Sequence, residues 1–241
     1  MFALLKDALH LYKKNILRVL LLGITVLLPI QVIYTILVNY VSLPFIYFNI
    51  PLWPSIIQSV FMLISVFVMI IPLVSMVIQD TRLQQVKTGK LYLDMLRYAF
   101  FVYIISIPIS IITTVGFLLL IIPGLVLLIF SIGIPLVKMA ENETLKGVVK
   151  KSIAFGKENF LNLCGFLLLF AAVDFIGTYI LSYLAIVLTG QMAVTNWALI
   201  ILNMFLLPLF VFAVAKQYLE WNGEAELLRE DEYFHQLKQY Q

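Results

Sequence analysis

The sequence predicts an all-α protein: a polytopic transmembrane bundle of six spans, built as three repeats of an interfacial helix plus a helical hairpin. Three observations carry this. Hydrophobic residues make up 63% of the 241 positions and charged residues only 12%, about half the share of ~25% usual in a soluble domain. Six apolar runs are each close to the ~20 residues that a helix needs to cross the hydrocarbon. And the Lys and Arg residues fall only into alternate segments between those runs.

The runs lie at about 16–39, 55–78, 98–115, 117–137, 160–188 and 194–215. Helices are expected rather than strands, because an isolated strand in lipid leaves its backbone groups unpaired. The first run follows Lys6, Lys13 and Lys14 and so imitates a secretory signal. It exceeds the ~7–15 residue apolar core of a cleaved signal and no A-x-A site follows, so it reads as a retained span. The third and fourth runs form one uncharged stretch over 98–137. Its turn falls at Gly116 or at Pro123-Gly124. The second choice shortens the fourth span too far, which favours Gly116, with Pro123-Gly124 as a break near the outer end.

Orientation follows from the basic residues. Lys6, Lys13, Lys14 and Arg18 precede or open the first span; Arg82, Lys87, Lys90 and Arg97 separate the second from the third. Lys138, Lys146, Lys150, Lys151 and Lys157 separate the fourth from the fifth; Lys216, Arg229 and Lys238 follow the sixth. These are all 16 Lys and Arg of the chain. By the positive-inside rule both termini are expected in the cytoplasm. The opposite side is uncharged and aromatic: Phe45, Tyr47, Phe48 and Trp53 stand among Pro44, Pro51 and Pro54, as in an interfacial belt. Residues 1–215 are then the membrane domain, and 216–241 an acidic cytoplasmic tail with Glu220, Glu224, Glu226, Glu230, Asp231 and Glu232. Tyr218, Trp221, Ala225 and Leu228 give that tail an apolar stripe able to dock on the bundle.

A repeat runs through this layout. Ile71-Pro72-Leu73-Val74, Ile134-Pro135-Leu136-Val137 and Leu207-Pro208-Leu209-Phe210 each sit near the inner end of an even-numbered span. Pro72, Pro135 and Pro208 each remove one helical hydrogen bond and favour a bend, and a neighbouring helix can satisfy the freed carbonyl. Each odd-numbered span follows an amphipathic segment, at about 2–15, 89–97 and 143–156. The first sets Phe2, Leu5, Leu9 and Tyr12 on one face, and the third sets Leu145, Val149 and Ile153 beside Lys146 and Lys150. Lys14-Asn15-Ile16-Leu17 and Glu158-Asn159-Phe160-Leu161 then enter spans one and five alike.

Polar residues within spans are the candidates for function. Asp174 is the one charged residue near mid-span, where an Asp costs about 2.5–3.5 kcal/mol on insertion scales. Ala171, Asp174, Thr178, Ser182 and Ala185 follow helical steps and form a small, polar stripe. Such a carboxyl either serves structure, hydrogen-bonded to Thr178 or to a facing helix, or handles protons or ions. Gln31, Thr35, Asn39, Ser106, Ser110, Thr113 and Asn203 read as interhelical packing groups. No enzyme signature accompanies them. His10 and His235 stand alone at opposite ends, and no P-loop, G-x-G-x-x-G or G-x-S-x-G is present. The expectation is a protein that is not an enzyme, with no metal and no cofactor. Cys164 is the single cysteine, which excludes an internal disulfide.

Residues 117–161 carry a family likeness. Leu120-Ile121-Ile122-Pro123-Gly124, Pro135-Leu136-Val137, Glu141, Gly147, Lys151-Ser152 and Lys157-Glu158-Asn159-Phe160 resemble a family of uncharacterised bacterial integral membrane proteins. That family is related to the membrane domain fused to some glycerophosphodiester phosphodiesterases. The resemblance implies a helical bundle of the bacterial cytoplasmic membrane, with Pro123, Gly124, Glu141, Ser152 and Asn159 as its motif residues. It implies no phosphodiesterase activity, since these 241 residues hold no such soluble domain. The expected role is in the cell envelope through lipid or protein contacts: membrane organisation, or protection against membrane-active agents. The alternative is a small transporter or channel using the buried carboxyl. Expected partners are membrane lipids and a membrane protein met through the acidic tail, with no nucleic acid.

Overall fold

A computed structural model describes residues 1–224. Helices follow one another with short turns, and no strand occurs among the described residues. Helix α1 (Phe2–Lys14) leads into α2 (Ile16–Leu22), a π-helical turn (Gly23–Leu27) and α3 (Leu28–Tyr47), which together make the first span. The second and third are α4 (Leu52–Leu83) and α5 (Thr88–Leu119). The fourth is divided into α6 (Ile121–Ser131) and α7 (Ile134–Glu141). After α8 (Leu145–Glu158) come α9 (Phe160–Thr189) and α10 (Met192–Trp221). Six helical stretches are thus long and apolar enough to cross a membrane. The chain is a multi-pass membrane protein.

Each break has a local cause. Asn15 and Asn159 sit between a short amphipathic helix and a span, and their backbones match: φ −116°, ψ 24° and φ −106°, ψ 19°. In both, the side-chain amide donates to the carbonyl four residues back, Leu11 at 3.3 Å and Phe155 at 3.2 Å. An asparagine that bonds its own turn in this way competes with helix propagation. The corresponding place before the third span has Arg97-Tyr98, with no such side chain, and α5 runs through it without interruption. The expected separate interfacial helix at 89–97 is therefore absent: that segment is the first third of α5.

The turn between spans three and four also differs from expectation. It is made by Leu120 alone, in extended backbone (φ −160°, ψ 149°), and neither Gly116 nor Pro123-Gly124 is the turn. Pro123 explains the position. In a continued helix its missing N–H would orphan the carbonyl of Leu119 and its ring would clash there. In the first turn of α6 it costs nothing. The two glycines instead let the hairpin close. A Cβ on Gly116 would come 3.1 Å from the Gly124 backbone, and one on Gly124 would come 2.4 Å from the Phe117 ring.

The turn between spans one and two, at the end without lysines, is tighter than the apolar runs suggested. Helix α3 continues through Pro44 to Tyr47, and α4 begins at Leu52, so Phe45 and Trp53 are helical and stack at 5.4 Å. Helix α10 continues past Lys216 to Trp221.

The core concentrates toward the lysine-bearing end. Met69–Val77 of α4, Ser131–Val137 around the α6–α7 break and Val211–Ala215 of α10 are buried without a gap. Pro72, Pro135 and Pro208 all lie buried there. Pro72 and Pro208 sit inside continuous helices, whereas Pro135 follows a break. That break leaves the Phe130 carbonyl at the end of α6, and the Ser152 hydroxyl of α8 donates to it at 2.5 Å. Gly133 admits the contact, since a Cβ there would stand 2.9 Å from Ser152 Oγ.

Candidate functional site

The lysine-bearing end carries a layer of paired polar side chains that ties together helices far apart in sequence. Lys14 of α1 meets Asp80 of α4 at 2.8 Å, and Lys216 of α10 lies 4.0 Å from the same carboxylate. Arg82 of α4 grips Glu224 through two nitrogens at 2.8 and 2.7 Å and donates to the Ala140 carbonyl at 2.8 Å. Such bidentate pairs are the strongest of their kind. Gln79 donates to Ser75 at 3.0 Å, which donates to Asp94 of α5 at 2.5 Å; Gln79 also accepts the Lys87 amide at 2.9 Å. The start of α5 is thereby fixed to α4.

Glu141 is the hub on the other side. It accepts from the Tyr218 hydroxyl of α10 at 2.5 Å and from Lys151 of α8, which also meets Glu143 at 3.3 Å. The hydrogen bond to Glu141 raises the Lys151 ammonium above its ordinary pKa; desolvation opposes this, and Glu143 adds to the rise. Asn159 accepts from Gln217 at 2.8 Å, and Glu158 accepts from the Trp221 indole at 2.6 Å. Tyr218 and Trp221 pack on Phe155, at 5.2 and 5.5 Å between ring centres. The stripe expected to dock on the bundle does so at these two residues; Ala225 and Leu228 lie outside the described residues.

Of the motif residues, Glu141, Ser152 and Asn159 thus converge where α8 meets α7, α6 and α10. Pro123 and Gly124 belong to the outer hairpin and serve its closure. Sequence reading missed Asp80, Arg82 and Tyr218 as members of one layer. Their partners are 66, 142 and 77 positions away, beyond any local pattern.

Helices α1 and α8 each present two apolar faces. Helix α8 buries Val148, Ser152, Phe155 and Gly156, while Leu145, Val149 and Ile153 point outward at 53, 37 and 41% exposure. Helix α1 buries Leu4, Ala8, Leu11 and Tyr12 and leaves Phe2 and Leu9 exposed. Of the stripe expected on the first segment, only Tyr12 is buried. A helix apolar toward both its bundle and its surroundings suits a membrane boundary.

The outward face of α8 forms one wall of a groove of about 710 Å³, with α5 opposite and α6 as its floor. Its lining is apolar apart from Thr113 and Ser131; Phe101, Ile105 and Pro108 of α5 face Leu127 and Phe130 of α6 and Val149 of α8. Lys138 stands beside this lining, with Nζ 4.5 Å over the Phe101 ring and donating to the Glu143 carbonyl at 2.9 Å. A second cavity, about 240 Å³, gathers Gln31, Tyr34, Thr35 and Asn203 between α3, α4 and α10.

Asp174 lies elsewhere, on α9, the span that buries least of its surface. Its side chain is half-buried, and Oδ1 is shielded from solvent with no hydrogen-bond partner. Thr178 and Ser182 are half-buried on the same helix, but no hydrogen bond joins either to Asp174 among the described residues. Of the two structural alternatives for this carboxyl, a bond to Thr178 or to a facing helix, neither is seen at Oδ1 among the described residues. Gln31, Ser106, Ser110 and Thr113 are buried, whereas Asn39 is exposed and Thr35 and Asn203 open into the cavity between α3, α4 and α10. Among the described residues no three His, Cys, Asp or Glu side chains gather as a metal site would require. Comparison of the chain with protein-family models, with curated proteins and with solved structures finds no match in any of the three.

Proposed function

We propose that this is a non-enzymatic protein of the bacterial cytoplasmic membrane that acts in the cell envelope through lipid contacts, in membrane organisation or protection against membrane-active agents. The observation that carries this reading is the apolar groove between α5, α6 and α8, open beside a helix whose second apolar face turns outward. Ligand sites are concave, mostly apolar and about 300–1,000 Å³ in volume, and this groove lies within that range. The segregation of Lys and Arg supports cytoplasmic termini. The likeness at Glu141, Ser152 and Asn159 supports a place among the bacterial membrane domains it resembles. The matched Asn15 and Asn159 junctions support the repeat for its first and third units.

Purified protein should retain phospholipid through exhaustive washing in mild detergent, detected by extraction and mass spectrometry, and should gain thermal stability when lipid is restored. Protein that is lipid-free after the first wash, keeps its Tm and ignores added lipid would remove the basis for this reading.

One observation favours a second reading, a small transporter or channel: the shielded, unpartnered Oδ1 of Asp174. A carboxyl within a span is a functional candidate by default. On this reading Asp174→Asn folds normally in proteoliposomes but abolishes a proton or ion flux that the wild type supports. On the lipid-contact reading neither protein supports a flux. Asp174→Leu then leaves stability unchanged or higher, because it removes a buried polar atom that makes no hydrogen bond.

A further inference from the structure

We infer that the groove between α5, α6 and α8 seats one acyl chain of an anionic phospholipid, whose phosphate is held by Lys146 and Lys150 at its inner end. The inference rests on the lipid-contact reading above and adds the headgroup class, the leaflet and the residues.

The length of the groove points to a chain from a single leaflet. Along α5 it runs from Phe100 to Thr113, which at about 1.5 Å per residue is roughly 20 Å. One leaflet's share of a hydrocarbon core about 30 Å thick is about 15 Å. Phe100 and Ile112 stand 74 and 56% exposed along this wall, so a chain can enter from the side, without passing through the polar layer.

The charge at its inner end selects the headgroup. Lys138 spans from the Phe101 ring to the Glu143 carbonyl and so marks where the groove meets the start of α8. Lys146 directly follows Leu145 of the wall, and Lys150 directly follows Val149. Both lysines are exposed, and among the described residues neither makes an ion pair or hydrogen bond. The nearby carboxylates are already engaged: Glu141 by Lys151 and Tyr218, and Glu143 by Lys151. Two uncompensated cations at the mouth of an apolar groove complement an anionic headgroup, as basic pockets between membrane helices do. A second copy of the chain is disfavoured as occupant, because a twofold contact here would bring the same lysines together.

The test uses the full chain in detergent with phosphatidylglycerol and phosphatidylcholine of identical acyl chains, and native mass spectrometry to read apparent affinities. Wild type should prefer phosphatidylglycerol by about tenfold or more, as two basic residues at a charged headgroup would give. K146Q/K150Q should reduce that preference at least about fivefold while still binding both lipids. V149W, which fills the wall, should weaken both lipids alike with its Tm retained. K6Q/K13Q, which removes two exposed lysines on α1, should leave the preference intact. Equal binding of the two lipids by wild type overturns the inference, as does a preference that survives K146Q/K150Q or falls equally in K6Q/K13Q. So does disulfide dimerisation of V149C in a Cys164→Ala background, which would place a second copy on this face. In each of these outcomes retained lipid leaves the broader reading standing; binding of neither lipid would end both.

Discussion

Removing the Tyr218 hydroxyl is the sharpest perturbation of the polar layer. Tyr218 is 1% exposed, and its hydroxyl donates to Glu141 at 2.5 Å. Tyr218→Phe preserves the ring and its contacts with Phe155 and Trp221, so it deletes one hydrogen bond and little else. A bond to a charged acceptor contributes about 1.5–3 kcal/mol, and Glu141, 15% exposed, is too enclosed for water to replace the donor freely. Lys151 on the same carboxylate is 39% exposed. Lys151→Met should therefore cost clearly less, as exposed, solvent-screened ion pairs do. For a chain of this size about 2–4 °C of Tm accompanies each kcal/mol. Tyr218→Phe should then lower Tm by roughly 3–12 °C, and Lys151→Met by clearly less. A thiol-reactive dye reporting on Cys164, the single cysteine, measures both in detergent. Should Lys151→Met prove as damaging as Tyr218→Phe, or Tyr218→Phe be silent, Glu141 would not be the hub described.

The outer hairpin and the topology give two more expectations. Gly124→Ala places a methyl 2.4 Å from the Phe117 ring and 2.7 Å from its backbone nitrogen, an overpacking that should cost about 1–3 kcal/mol. Gly89→Ala meets nothing within 4 Å and should be neutral or slightly stabilising; equal Tm values for the two variants would refute the close approach. With Cys164→Ala as background, Phe48→Cys and Thr189→Cys should react with an impermeant thiol reagent in intact cells, whereas Lys157→Cys should react only after lysis. Labelling of Lys157→Cys before lysis would overturn the cytoplasmic placement of the lysine-bearing end.

What could be read in the amino-acid order was whatever depends on near neighbours. Spans follow from unbroken apolar runs, and the entries to spans one and five follow from Lys14-Asn15-Ile16-Leu17 and Glu158-Asn159-Phe160-Leu161. The misplaced turn shows how a local cue can mislead. Gly116 reads as a turn residue by its conformational freedom, but here the glycine serves a close approach to Gly124. Pro123 governs the turn through a carbonyl four positions earlier. The amphipathic pattern over 89–97 was real, yet amphipathicity alone does not end a helix, and Tyr98 has no side-chain amide to compete for the preceding turn. The polar layer was least legible, because Lys14 with Asp80 and Arg82 with Glu224 are joined only by the tertiary fold. Glu141, Ser152 and Asn159 were reached by resemblance, without a physical reason for their company; that reason is the docking of α8 on α6, α7 and α10.

The basic residues of this end divide by what they face. Lys14, Arg82, Lys151 and Lys216 each meet a carboxylate and join one helix to another. Among the basic residues that make no ion pair among the described residues, Lys87, Lys90 and Arg97 lie at the start of α5, and Lys6, Lys13, Lys146 and Lys150 sit on α1 and α8, where an apolar face also turns outward. The last four stand near Phe2, Leu9, Leu145 and Val149 and so set cation next to exposed hydrocarbon, the combination that a phospholipid boundary matches and water does not. The asparagine junctions make this possible. By ending α1 and α8 before the spans begin, Asn15 and Asn159 free those helices to lie against the bundle at their own angle. Helix α5 lacks the junction and runs on without interruption, so one wall of the groove is part of a span and the other is a separate short helix.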